Sequence, residues 1–298
     1  HNLFEELLPY RKKISLKLLE HIEACDENNR INTGRKKLEK LPASFQEENS
    51  LYGKLAGRGY GICSANVKIT IGVVSANIKG SHSSECIERI KNYTDNYELI
   101  VLDNNYGPGF NHPREMNRII SVTKSDYLVL MDDDVYVEEG WLDGLLRCVT
   151  TEAGVITPLH NDKTGKFSYG GIVFKPDKSG DHGHIYTLPD RPVPTISLCS
   201  AILLIDMTKC GHIRFDETYT KYFLDIDYGL RIWEAGYQII CSPYTMVTHL
   251  AGGTLKQGGE EGSKLWEAQK EHFKKDWIDT GRLEKLENTV WREIPEIK

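Results

Sequence analysis

Residues 127–141 read "YLVLMDDDVYVEEGW". The first five, Tyr127–Met131, are mostly apolar, as in a strand covered on both faces. Asp132, Asp133 and Asp134 follow without a break. Adjacent carboxylates disfavour one another's ionised state, so a buried strand that ends this way needs a metal ion, a helix N-terminus or solvent to offset the charge. Carboxylate oxygens suit hard divalent cations such as Mg²⁺ or Mn²⁺. Aspartate also caps helices, and "VEEGWLDGLLRCV" downstream has helical spacing, but one aspartate would suffice for that.

The same alternation extends to both sides. "VKITIGVVSA" reads as a buried strand from Val67, "SSECIERIKNY" as a helix, "YELIVLDNN" as a second strand and "NHPREMNRIISVT" as a second helix, with Pro113 in its first turn. Strands alternating with helices predict a right-handed, mostly parallel sheet. Ligands on such sheets bind beyond the carboxyl ends of the strands. Ser75–Asn77, Asp103–Asn105 and Asp132–Asp134 all fall at such ends.

The second half is less regular. Residues 157–194 are rich in turn formers and predict hairpins and a long loop. "TISLCSAILLID" is a strong strand, "FLDIDYGLRIWEAG" a helix, "YQIICSP" and "TMVTHLAG" two further strands, and "SKLWEAQKEHFKKDW" a C-terminal helix. Asp225 and Asp227 lie near the start of the predicted helix, where the macrodipole favours ionised carboxylates. They read either as caps or as a general base. His249 follows a short strand and precedes glycines, a place open to a structural or a ligating histidine.

Residues 1–66 have a different texture. Leu7, Ile14, Leu18 and Ile22 recur at helical spacing, and "YGKLAGRGYG" has the glycine content of a linker. This predicts a small helical extension over 1–66, an α/β region over 67–255 and a C-terminal helical segment over 256–298.

The 298 residues are 40% hydrophobic and 27% charged, an ordinary globular balance. A formal net charge of -6 argues against nucleic acid as the main partner. The seven cysteines are odd in number and none stands at CxxC spacing, which points to a reducing compartment, without a disulfide framework. No apolar run approaches the roughly 20 residues that span a bilayer.

Taken in order, the aspartate run, "FDETYTKYFLDIDYGLR" and "HLAGG" resemble the family 2 glycosyltransferases, inverting enzymes of the GT-A fold, over roughly Lys68–Gly253. In that resemblance "ITIGVVSAN" is the opening strand, Asp103 ends the second strand, Asn117 is the helix asparagine, and Asp132 and Asp134 stand at the DxD motif. Leu224 departs from the usual acidic residue, while Asp225 stands where the family places its base. The resemblance implies a GT-A type fold: an α/β, Rossmann-like, mostly parallel sheet flanked by helices, with 67–255 the catalytic region, 67–135 its nucleotide side and 136–255 its acceptor side. It implies transfer of a sugar from a UDP- or dTDP-sugar to a hydroxyl of a glycan, lipid-linked or protein acceptor, in glycan or polysaccharide synthesis. It further implies Asp225 as catalytic base, Ser75, Asn77, Asp103, Asp132 and Asp133 on the nucleotide, and Asp134 and His249 on Mn²⁺ or Mg²⁺. Residence in the cytoplasm or at the cytoplasmic membrane face, with peripheral membrane contact, fits this reading. The alternatives are a sugar-nucleotide-binding protein without turnover and a nucleotidyltransferase; the latter is expected to carry an arginine-rich phosphate loop, which "SANIKGSHSS" lacks.

Every candidate nucleotide residue follows Lys68. Removal of residues 1–60 is therefore expected to leave nucleotide affinity nearly unchanged in titration calorimetry. A folded, soluble truncation that no longer binds nucleotide would contradict the division.

Overall fold

Alternation along the strand that ends in the aspartates sets the layers. In β3 (Tyr127–Asp132), Leu128 and Leu130 enter one buried cluster, while Tyr127, Val129 and Met131 enter another on the opposite face. A strand with apolar residues on both faces must lie inside a sheet covered twice, and that is its position in the computed structural model. The structure describes residues 67–75, 77–103, 110–170, 172–174, 182–184, 189, 191–250 and 260–286. These belong to one compact unit, Gly61–Lys298. The helical extension expected over 1–66 lies outside the described residues.

The strands are β1 (Ile69–Ser75), β2 (Tyr97–Asp103), β3, β4 (Val135–Tyr136), β5 (Ala153–Asn161), β6 (Phe167–Tyr169), β7 (Ile172–Phe174), β8 (His182–His184), β9 (Val193–Thr195), β10 (Ile202–Asp206) and β11 (Gln238–His249). The main sheet runs β2-β1-β3-β10-β5-β11-β4, with β6 on β5 and β9 on β11. The five longest strands, β1, β2, β3, β5 and β11, share one direction; β10 runs against them between β3 and β5. The expected α/β sheet, mostly parallel in its long strands and flanked by helices, is the one found. β7 and β8 form a separate hairpin.

Helices α1 (Ser81–Tyr93) and α3 (Trp141–Leu146) cover one face through Cys86, Ile90, Trp141 and Leu145. Helices α2 (His112–Val122), α5 (Leu224–Glu234) and α6 (Glu260–Phe273) cover the other through Met116, Ile119, Tyr228, Trp233 and Phe273. A short α4 (Met207–Cys210) follows β10, and a π-helical turn over Lys274–Ile278 continues α6 and buries Trp277.

Several elements differ from the sequence reading. The strand expected over 195–206 is confined to Ile202–Asp206, and the nine-residue β5 runs into the stretch expected as hairpins and loop. α3 begins only at Trp141, because Gly140 is left-handed (φ 79°) and breaks the turn before it. The two strands expected around residues 237–252 are one strand, β11, whose register on β5 shifts between Ser242 and Met246. Pro243 has no N–H for a ladder, and a bulge accommodates it without ending the strand.

Gly72 sits where α2 crosses β1. A Cβ there would lie 2.4 Å from Ile119 Cγ2, an atom on a β-branched, stiff side chain. Gly72→Ala is expected to destabilise the fold by about 1–3 kcal/mol through overpacking, read as a lower urea midpoint. An unchanged midpoint would show that α2 can move away from β1 at no cost.

Candidate functional site

The parallel register aligns the polar strand ends. Ser75 stands beside Asp103, and Val74 beside Asp132. Beyond Asp132 the chain turns at once through Asp133 and Asp134 into β4, which pairs antiparallel with the end of β11, Val135 opposite His249. The Leu250 amide donates to the Asp134 carbonyl at 3.1 Å. This short ladder brings Asp134 and His249 together across more than a hundred residues of chain.

Each of the three aspartates has a different partner. Asp132 Oδ1 lies 2.6 Å from His112 Nε2. Asp133 Oδ2 accepts from Ser75 Oγ at 2.6 Å and also from Ser83 Oγ. Asp134 Oδ1 lies 3.4 Å from His249 Nε2. All three are half-buried. Burial raises the pKa of Asp132 despite the His112 contact, and neighbouring Asp134 raises it further. Burial opposes a charge on His112, but Asp132 outweighs it and the imidazole pKa rises. Burial likewise opposes a charge on His249, yet its contacts with Asp134 and Cys199 push its pKa up to about 11.

Asp225 joins this group through the segment before β10. The Ser200 amide donates to Asp225 Oδ1 at 3.0 Å, Ser197 Oγ donates to the Asp225 carbonyl at 2.7 Å, and the Asp132 amide donates to the Ala201 carbonyl at 2.9 Å. Residues 197–201 thus tie Asp225 to the end of β3. Burial raises the Asp225 pKa; Ser200 and His112 oppose this, and Asp132 adds to it. Asp225 does not cap its own helix. α5 starts from Phe223 in the left-handed region (φ 63°) with no side-chain cap.

The other expected residues fall as follows. Asn77 shapes the β1–α1 turn: its amide donates to Ser75 Oγ at 3.1 Å and its Oδ1 accepts from the Lys79 amide at 3.2 Å. Asp103 is exposed, and its Oδ1 accepts from the Ile78 amide at 3.2 Å. Asn117 is buried, donates to the Phe215 carbonyl and accepts from the Phe215 amide, each at 2.9 Å. It therefore fastens α2 to the segment before α5.

Asp227 belongs elsewhere. Its side chain is fully buried, with Arg231 Nε at 2.7 Å and Trp277 Nε1 at 2.8 Å. Asp216 and Asp276 also reach Arg231, each at 3.5 Å. These three carboxylates lie close enough to hold a cation, and the guanidinium supplies that charge. The network locks α5 to the C-terminal helix.

Asp134 and His249 fit a divalent ion. Two donors each about 2.0–2.2 Å from one ion lie roughly 2.8–3.6 Å apart for angles between right and tetrahedral, and the observed separation is 3.4 Å. The other two aspartates are engaged by His112 and by the serines.

Sequence reasoning missed His112, His160, Cys199 and Ser200. Each is a single residue in an unremarkable context, and only tertiary packing brings them to the site.

No family model and no curated protein matches the sequence. Among solved structures the fold is similar to "GalNAc-T7 with UDP, GalNAc and Mn2+", with 12% identity, 62% of this chain and 44% of that chain covered, and a TM-score of 0.48. It is similar to "Mannosyltransferase PcManGT from Pyrobaculum calidifontis in complex with GDP-Man and Mn2+", with 11% identity, 68% and 65% covered, and a TM-score of 0.46. It is also similar to S. aureus TarS 1–349, with 12% identity, 61% and 60% covered, and a TM-score of 0.41. The chain spans less than two thirds of the length of each of these three. At these identities the likeness is one of backbone course. Among the described residues, no helix is long and apolar enough to cross a membrane.

Asp227→Asn leaves Arg231 short of its closest partner inside the protein. The expected cost is about 1–3 kcal/mol, seen as a lower urea midpoint. An unchanged midpoint would show that Asp216 and Asp276 suffice to hold Arg231.

Proposed function

We propose that the protein transfers a sugar from a nucleoside diphosphate donor to an acceptor hydroxyl, with inversion at the anomeric carbon. The observation that carries this reading is the convergence of the Asp134–His249 pair and Asp225 on the end of β3, with Asp132 between them in the hydrogen-bonded chain. A diphosphate leaving group needs positive charge on one side of the reacting carbon, and an acceptor hydroxyl needs a base on the other.

On the donor side, Asp103 receives the nucleobase, uracil or thymine, and Asp132 receives the ribose. Ser75 and Asn77 form the floor of the nucleotide pocket, and Asp133 anchors that floor through Ser75 and Ser83. Asp134 and His249 hold the divalent ion, for which a mixed carboxylate and imidazole set favours Mn²⁺ over Mg²⁺. Bound there, the ion would neutralise the departing diphosphate. On the acceptor side, Asp225 takes the hydroxyl proton. The Ser200 amide fixes its carboxylate, and its raised pKa makes it a stronger base than an exposed aspartate. Glycan, lipid-linked and protein hydroxyls all meet this requirement. A polysaccharide-building role at the cytoplasmic membrane face belongs to the same proposal.

The first test is a panel of sugar nucleotides assayed for Mn²⁺-dependent hydrolysis. Asp134→Ala and His249→Ala are each expected to remove most of that activity and to weaken donor binding while the fold persists. Full activity in EDTA would overturn the metal's role.

The second test isolates Asp225. Asp225→Asn should lower transfer by about 10²–10⁴-fold, with donor affinity little changed because the lost interaction belongs to the transition state. A base must be ionised and burial raises this carboxyl's pKa, so the wild-type rate should fall on acidification at a pH above the ordinary aspartate value of about 3.9. A rate that stays flat down to that value, or an active Asp225→Asn, would place the base elsewhere.

A further inference from the structure

We infer that His160, Cys199 and His249 form a site for a thiophilic divalent cation, Zn²⁺, overlapping the Asp134–His249 pair. One ligand atom from each of the three lies within 4.8 Å of those from the other two. They come from the end of β5, the segment before β10 and the end of β11. The β5–β11 ladder sets Val247 opposite His160, two positions from His249, and the two imidazoles meet edge to face with centroids 5.7 Å apart.

His160 is the observation that asks for a ligand. It is 1% exposed, and neither ring nitrogen has a hydrogen-bond partner among the described residues. A buried polar atom left unsatisfied costs about 1–3 kcal/mol, and such atoms in a native core call for an ion, a water or a functional role. A neutral imidazole carries one N–H and one lone pair, and the lone pair is what a cation takes.

The donor set selects the metal. Two imidazoles and a thiolate make a three-donor N₂S set, with the fourth position open to water. Zinc accepts such sets in tetrahedral form, whereas hard ions such as Mg²⁺ take oxygen. Cysteine ligates as the thiolate, so Cys199 releases its proton when the ion binds. An ion here takes His249 from the pair proposed for Mn²⁺ and lies next to the Ser200 amide that fixes Asp225. Zn²⁺ should therefore compete with Mn²⁺ in donor turnover, a consequence that rests on the proposed function, whereas the site itself does not.

The test uses the full chain and Co²⁺ as a spectroscopic stand-in for Zn²⁺. Titration should produce a thiolate-to-cobalt charge-transfer band that saturates at one equivalent and is discharged by Zn²⁺. Cys199→Ser should abolish the band, and His160→Gln should weaken Co²⁺ binding. Cys210→Ser, a buried cysteine away from the cluster, should keep the band. No band in the wild type, or one that survives Cys199→Ser, would overturn the site; a water would then be the partner of His160. Should Cys199→Ser fail to fold, X-ray absorption of the Zn²⁺-loaded wild type decides: one sulfur at about 2.3 Å among nitrogen and oxygen donors is expected, and a shell without sulfur overturns it. Mn²⁺-dependent donor hydrolysis is measured in parallel. Hydrolysis without the cobalt band sinks the zinc site alone, and a band without hydrolysis of any donor sinks the transfer reading alone.

Discussion

Three consecutive carboxylates end an interior strand, and the site is organised around keeping them apart. Like charges this close would suppress one another's ionisation. The backbone separates them by turning at Asp133 and Asp134, so that successive side chains diverge. Asp132 meets an imidazole from α2, Asp133 the hydroxyls of β1 and α1, and Asp134 the imidazole that ends β11. Each contact also joins a different element to β3. The cost of the charges is thereby spread over three separate contacts.

The segment between β9 and β10 has the complementary task. Residues 197–201 reach Asp225 twice, reach Asp132 once, and place Cys199 beside His249. The approach of α5 to this segment depends on Gly229, where a Cβ would stand 2.8 Å from the Ile196 carbonyl oxygen. On its far side α5 is held by the buried Asp227–Arg231–Trp277 contacts. The position of Asp225 is thus set from both ends, although the helix begins with a left-handed Phe223 and no capping side chain. An uncommon backbone conformation of this kind persists only where the surrounding packing over-determines it; here Phe273 packs on the Phe223 ring at 5.4 Å between centroids.

Much of this frame was legible in the sequence. Apolar runs alternating with amphipathic ones gave the order of β1 to β3 with their helices, because a twice-covered strand and a once-covered helix differ in hydrophobic period. Polar residues at three strand ends located the site, because parallel strands deliver their carboxyl ends to one edge. The antiparallel β10 and the unbroken β11 were not legible, since periodicity carries no strand direction and Pro243 reads as a stop. Asp225 and Asp227 looked alike, two positions apart at one helix start; only tertiary packing sends one to the site and buries the other against Arg231. His112, His160 and Cys199 carry no local signal, because their meaning lies in ladders between residues far apart in the chain.

In the proposed mechanism a cation would be held by Asp134 and His249 where a nucleoside diphosphate binds. This is tested most directly by anomalous diffraction from crystals soaked with Mn²⁺ and the donor selected by the hydrolysis panel. The account predicts one manganese peak bonded to both Asp134 and His249 and touching the diphosphate oxygens, with the nucleobase toward Asp103. A well-ordered nucleotide whose manganese peak lies away from both residues, or a nucleotide bound at another edge of the sheet, would contradict it.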